Sequence, residues 1–433
     1  MRSPDDLTDY ASVQDYLFGL KAQGVKYGID RMRTLAAEIG HPERKVPIIH
    51  LAGTNGKGST AAMLDQILSE AGYKVGLYTS PHLVRLGERV QVNREILTES
   101  EIMAYTRELL PVAARLGQVS ADDHPSFFEF MTAMAFWQFA RKGCDVAVAE
   151  VGLGGELDAT NIVEPAVTAI TSIGFDHCEI LGHTHAEIAQ AKAGIIKSGV
   201  PIVIGRMPLE AEDVIRKRAA ALEAPVSSVR DRYGEELGNY PETALVGDCQ
   251  RWNAATASLV IEALGWSIES NAVEIGLQAA HWPARWERMR IHGRTVIMDA
   301  SHNPEGAAEL RLNLARLHDQ TGKNPIVVVG ALGLARAQPL IEAVAEFAQE
   351  IHIVVPEQSR ACGFADIRNL IPDQFAGAIH ESEVKALFEG QRISTWSNPE
   401  DTVVVTGSIY LAGEVMGYLR SQQAEIESHL QDF

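Results

Sequence analysis

The sequence predicts an α/β protein of two domains, and three observations predict it. An apolar run, Val46 to Ala52, leads straight into Gly53-Thr54-Asn55-Gly56-Lys57-Gly58-Ser59-Thr60. Ala61, Met63, Leu64, Ile67 and Leu68 then recur at helical spacing. Further strand-like runs alternate with helix-like stretches along the rest of the chain, which makes a mostly parallel sheet covered on both faces. The length, 433 residues, exceeds what one ordinary core holds. The pattern breaks around His281-Trp282-Pro283-Ala284-Arg285 and then restarts. Residues 1–283 therefore read as a P-loop ATPase-like domain, and residues 284–433 as a smaller, Rossmann-like C-terminal α/β domain.

Taken in order, residues 7–40 show amphipathic helical spacing with a turn around Gly24 to Gly28. The helix after the glycine loop starts near Ser59, and a strand follows at Lys74 to Tyr78, ending in Thr79-Ser80-Pro81-His82. Pro125 to Phe139 is an apolar, aromatic helix. Asp145 to Glu150 is a buried strand closing on a carboxylate, and strands are expected at Val167 to Ile170 and Pro201 to Ile204. Val226 to Tyr240 is polar and reads as irregular. In the second half, strands recur at Thr295 to Met298, Ile326 to Val329, His352 to Val355 and Thr402 to Val405. Ser301-His302-Asn303-Pro304 and Thr406-Gly407-Ser408 each follow a strand and open a helix.

Composition narrows the function. Hydrophobic residues make up 46% and charged residues 22%, as in an ordinary globular protein. A formal net charge of −19 argues against a nucleic-acid partner, which needs a basic face. No apolar run is long enough to span a bilayer, and Met1-Arg2-Ser3-Pro4-Asp5-Asp6 is not the start of a signal peptide, so no membrane partner is expected. Cys144, Cys178, Cys249 and Cys362 lack C-x-x-C spacing, which points to a reducing compartment and no zinc site. Cytoplasmic location and a monomer are the default expectations.

Strand, glycine-rich turn and helix aim backbone N–H groups at a phosphate. Lys57 would neutralise terminal phosphates, and the hydroxyl of Ser59 or Thr60 would reach a magnesium ion. The spacing is not that of the standard P-loop, because Gly58 separates Lys57 from Ser59. Ser80 and Glu150 end strands of the same sheet, where ligands of open α/β sheets gather, and a carboxylate there can hold magnesium. Gly152-Leu153-Gly154-Gly155 and then Leu157-Asp158-Ala159-Thr160-Asn161 suit either a loop against ligand or a plain turn. His177 is a metal ligand or a surface histidine. Lys192, read by itself, is a solvated helix lysine. Asp299 and His302 could contact nucleotide or substrate, or only cap a helix.

Together these residues resemble the Mur ligase superfamily and, within it, the folylpolyglutamate synthase/dihydrofolate synthase family. The resemblance also rests on Lys26-Tyr27-Gly28-Ile29-Asp30-Arg31-Met32, His50-Leu51-Ala52, Phe128-Glu129, Asp176-His177 and Lys192-Ala193-Gly194-Ile195. It implies a ligase using ATP to phosphorylate a folate carboxylate, with glutamate then displacing phosphate to form an amide. The implied substrates are dihydropteroate, folates and L-glutamate. Thr54, Asn55, Gly56, Lys57, Gly58, Ser59 and Thr60, with Asn253, Arg285 and Asp299, would meet ATP. Ser59, Ser80, Glu150, His177 and a carbamylated Lys192 would surround two Mg2+ ions, and the need for a monovalent cation is left open. Phe128 and Asp158 would face the pterin, with Phe127 or Phe128 serving only as core, while His302 and Ser408 would place glutamate. Lys57, Lys192, His177, Asp299 and His302 form the implied catalytic set. Glu156 stands where the family carries arginine, Cys249-Gln250 replaces His-Gln, and Gly333 to Ala337 lacks an acidic-lysine-acidic cluster. Another Mur-type ligase of peptidoglycan precursors and a non-catalytic nucleotide-binding relative are the alternatives.

Overall fold

A computed structural model describes residues 6–21, 28–291, 293–389, 398 and 400–420. Lys26 and Tyr27 lie outside the described residues. The first sheet has eight strands: β1 (Ile48–Ala52), β2 (Val75–Tyr78), β3 (Val90–Val92), β4 (Glu95–Ile96), β5 (Val146–Glu150), β6 (Val167–Ile170), β7 (Ile202–Ile204) and β8 (Val226–Ser228). Their order is β4-β3-β2-β5-β1-β6-β7-β8. From β2 to β8 the pairs are parallel, and β3 and β4 add an antiparallel margin.

The apolar runs of β1 and β5 follow from burial on both faces. Ile48, Ala147 and Ala149 pack beside the aromatic helix Phe127–Lys142, through Phe127, Phe130 and Phe136. Ile49, Leu51, Val146 and Val148 point the other way, against the helices Lys57–Glu70 and Asp248–Leu264. Alternate side chains of a strand serve opposite faces, so a two-sided core demands an unbroken apolar run.

The second sheet comprises β9 (Glu287–Ile291), β10 (Arg294–Met298), β11 (Ile326–Val329), β12 (Glu350–Ile353), β13 (Ala378–Glu381) and β14 (Val403–Thr406), in the order β13-β12-β11-β14-β10-β9. All its pairs are parallel except β10 with β9. The expected α/β class and mostly parallel sheets are observed.

Val226 to Tyr240 is not irregular. It contributes β8, the helix Val229–Tyr233 and a 3-10 turn at Leu237–Asn239, with Val229 and Tyr240 buried. The strands without an apolar signature, β4, β8, β9 and β13, are the four sheet edges, and β3 is the short strand beside β4. A strand open on one side lacks the two-faced burial that writes an apolar run. No described helix is long and apolar enough to cross a membrane.

Candidate active site

The carboxyl ends of both sheets face one cleft of about 730 Å3, within the range of small-molecule sites. Its first-domain wall is the glycine loop after β1. Gly56 holds φ +86, and a Cβ there would meet Asn253 Oδ1 at 2.2 Å, so this position needs glycine. The loop after β6 pins the turn. Asn55 N–H donates to Ser172 Oγ (2.9 Å), Thr171 Oγ donates to Asn55 O (2.6 Å), and Gly174 N–H donates to Thr54 Oγ (3.0 Å). Lys57 Nζ donates to Gly53 O (3.0 Å) and stands 3.8 Å from Glu150 Oε1. The helix begins at Lys57, not at Ser59, which brings its N-terminus to the loop itself.

Ser59 Oγ is buried without a hydrogen-bond partner and lines the cleft. A buried hydroxyl left unpaired in a cleft whose lining also includes the Glu150 carboxylate is a ready ligand for a hard cation. Glu150 closes β5, and its Oε2 accepts from Ser80 N–H at 3.3 Å. Burial raises its carboxyl pKa, while Lys57 and Arg285 favour the charged form. His177, in the left-handed region at φ 50, also lines the cleft, and burial pushes its ring down to about 4, leaving it neutral and able to ligate.

Lys192 overturns the solvated reading. It ends the helix His185–Lys192, is only 4% exposed and faces the cleft. Burial, with the Lys57 charge, pushes its amine down to about 7.

The second domain contributes Arg285, Asp299, His302 and Ser408 to the same cleft, and Asn253 lies against Gly56. Asp299 Oδ1 accepts from Ser301 N–H at 3.0 Å. Asn303 caps the helix Pro304–Thr321, and its side-chain amide exchanges hydrogen bonds with Asn55 of the glycine loop at 2.9 and 3.3 Å. The two domains therefore meet at the phosphate loop.

Three expected site residues lie behind the cleft wall. Thr60 is fully buried and absent from the lining. Asp158 caps the turn Ala159–Ile162: its carboxylate accepts from Leu153 N–H (2.9 Å), Thr160 N–H (2.9 Å) and Thr160 Oγ (2.5 Å). His50 Nε2 completes this buried chain at 2.8 Å from Thr160 Oγ. The Asp158 carboxylate thus holds the glycine loop's shape. Phe128 is half-buried against Gly152 and 5.9 Å from the Tyr78 ring, while Phe127 is the core member of the pair, stacked on Phe18. Glu156 is exposed and outside the lining, its backbone tied to Ala191 O and Asn161 Nδ2.

Two cleft residues had no role in the sequence reading. Asp176 is a hub: Arg336 Nη2 lies at 2.8 Å, His302 Nε2 at 3.6 Å and His177 Nε2 at 3.9 Å. Burial opposes its charge, but His302, His177 and Arg336 together hold its carboxyl well below the usual range. Arg336 reaches it from the helix Leu334–Phe347 of the other domain. A single arginine in an amphipathic helix carries no sequence signal.

Comparison with known proteins gives the family and the fold. The Mur ligase middle domain model matches residues 51–229, and the model for the Mur ligase, glutamate ligase domain matches residues 284–409. A dihydrofolate synthase/folylpolyglutamate synthase of Bacillus subtilis is 35% identical over 452 residues, covering 95% of this chain and all (100%) of its own. A Mycobacterium tuberculosis folylpolyglutamate synthase complexed with ADP and AMPPCP superposes with a TM-score of 0.82 at 28% identity, covering 97% of this chain and 100% of that one. An Escherichia coli relative in complex with DHPP and ADP gives a TM-score of 0.82 at 29% identity, covering 98% and 100%.

Proposed function

Because the chain belongs to the Mur ligases, and among them to the folylpolyglutamate synthase/dihydrofolate synthase family, we propose that it is an ATP-dependent ligase adding L-glutamate to dihydropteroate and to tetrahydrofolates. Residues 1–283 form the ATP- and folate-binding domain, and 284–433 the ligase domain that brings in glutamate. One observation carries the reading. The glycine loop with its unpaired Ser59 hydroxyl faces His302 and Ser408 across a single cleft, so a phosphoryl donor and an amine acceptor site share one space.

A carboxylate oxygen of the pterin substrate attacks the γ-phosphorus of ATP, the bond to ADP breaks, and an acyl phosphate forms. The neutral amine of glutamate then adds to the acyl carbon, the nitrogen gives up one proton to solvent, and phosphate leaves with the electron pair of the C–O bond, leaving the amide. Loop N–H groups and Lys57 hold the γ-phosphoryl oxygens in line, which is positioning and electrostatic stabilisation. Magnesium, when bound, neutralises phosphoryl charge, and Ser59, Ser80, Glu150 and His177 are the residues that would hold it. Lys192 fits that set only without its positive charge. Its neutral amine could add CO2, forming an N–C bond and releasing a proton, and the carbamate so formed would supply the anionic oxygens that a divalent cation prefers. Asn253, Arg285 and Asp299 orient the nucleotide, and Asp176 keeps His302 turned toward the loop.

The test is phosphate release from ATP with magnesium and glutamate, comparing dihydropteroate, a tetrahydrofolate and a peptidoglycan precursor. Release with both pterins, giving products heavier by one glutamate, is expected. Release only with the peptidoglycan precursor, or none despite ATP binding, overturns the reading.

A further inference from the structure

The cysteine pattern argued against zinc, but the second sheet offers another donor set away from the cleft. We propose that Glu350, His352 and His380 form a binding site for one borderline divalent transition metal, zinc first among them, on the β12–β13 edge.

Strand periodicity puts Glu350 and His352 on one face of β12, opposite to Ile351 and Ile353, which face the core. The parallel register places His380 of β13 directly beside His352. Glu350 Oε1 lies 2.8 Å from His352 Nε2 and 3.2 Å from His380 Nε2. The edge of a zinc tetrahedron with bonds of 2.0–2.1 Å is about 3.3 Å, so the 3.2 Å pair already has the spacing one shared ion requires, and the 2.8 Å pair, a direct hydrogen bond, would open by about half an ångström. All three donor atoms fall within 4.8 Å of one another, the one such cluster of histidine, cysteine or carboxylate donors among the described residues.

Ligation through Nε2 leaves the His352 Nδ1 proton to donate to Ser382 Oγ at 3.0 Å, an outer hydrogen bond that orients a metal-binding imidazole. Two imidazoles and one carboxylate select zinc, nickel or cobalt over magnesium, which prefers oxygen. The fourth position opens to water, since His380 is about half exposed. None of the three lines the cleft. The ion would clip β13, whose one sheet partner among the described residues is β12, to the rest of the sheet.

The tag-free full chain, stripped by chelator, is titrated with Zn2+ alone. One ion per chain with a Kd tighter than about 1 µM is expected. His380→Ala and Glu350→Gln should each weaken it at least about tenfold, with ligase turnover unchanged. Co2+ should give the visible bands of a tetrahedral site, lost in both variants. His177→Ala reports any zinc held in the cleft and should leave the tight site intact. Absence of a site tighter than about 1 µM, or a site indifferent to His380→Ala, overturns the proposal.

Discussion

Replacing Lys192 by methionine separates what the buried amine costs from what it does. Lys192 is 4% exposed, and burial with the nearby Lys57 charge takes its amine from 10.5 to about 7. At roughly 1.4 kcal/mol per pKa unit, holding the charged form inside costs up to about 5 kcal/mol. The folded value lies below the unfolded one, so the unfolded chain binds the extra proton between those two values and stability climbs with pH across the interval. The cost is full below about pH 7 and gone above about pH 10.5. Lys192→Met should therefore raise the urea midpoint in CO2-free buffer most at about pH 6, and progressively less toward pH 10. The same variant should lose at least about a hundredfold in ligation.

At about pH 8 roughly nine in ten Lys192 amines are neutral, against about one in three hundred for an ordinary lysine. Wild-type turnover should fall in CO2-depleted buffer, return with bicarbonate, and climb with pH through about 7. His177, already neutral above about 4, adds no limb in that range. Labelled bicarbonate should give a carbamate 13C resonance that the variant lacks. Near-normal turnover in Lys192→Met, or wild-type turnover indifferent to bicarbonate, refutes the carbamate.

Other expectations follow from the loop and the domain contact. Lys57→Ala should abolish phosphate release by at least about a thousandfold while circular dichroism stays native, since its Nζ contacts are two loop carbonyls and the Glu150 carboxylate, which can protonate when the cation is gone. Gly56→Ala forces a Cβ onto Asn253 Oδ1 at φ +86 and should weaken ATP binding at least about tenfold by calorimetry. Arg336→Ala removes the 2.8 Å contact with Asp176 between the domains and should raise the glutamate KM about tenfold with a smaller change in kcat, read by steady-state kinetics.

The glycine loop, Glu150 and the interior strands could be read from the chain because each is local. A strand covered on both faces must be apolar throughout, as in β1, β5 and β14, where every residue is buried. Glu150 stood out as a charge closing such a run. The edge strands stayed hidden, because β13 is mostly exposed and three of the five residues of β9 are charged. The solvated reading of Lys192 failed, and the stretch around Asp158 stayed open between ligand loop and plain turn, for one reason: whether a lysine is sealed from water, or a carboxylate caps its own loop, depends on neighbours that the local sequence does not name.

The order of residues by itself determined the α/β class, the phosphate loop and the family to which the chain belongs, because helical and strand periods and turn chemistry act over a few residues. Only the tertiary structure decided which groups meet. It placed Asp176 between Arg336 and His302, joined Asn55 to Asn303, and set His380 beside His352. Those pairs are separated by many residues or lie on different elements, and nothing along the chain encodes a distance across a cleft or a sheet.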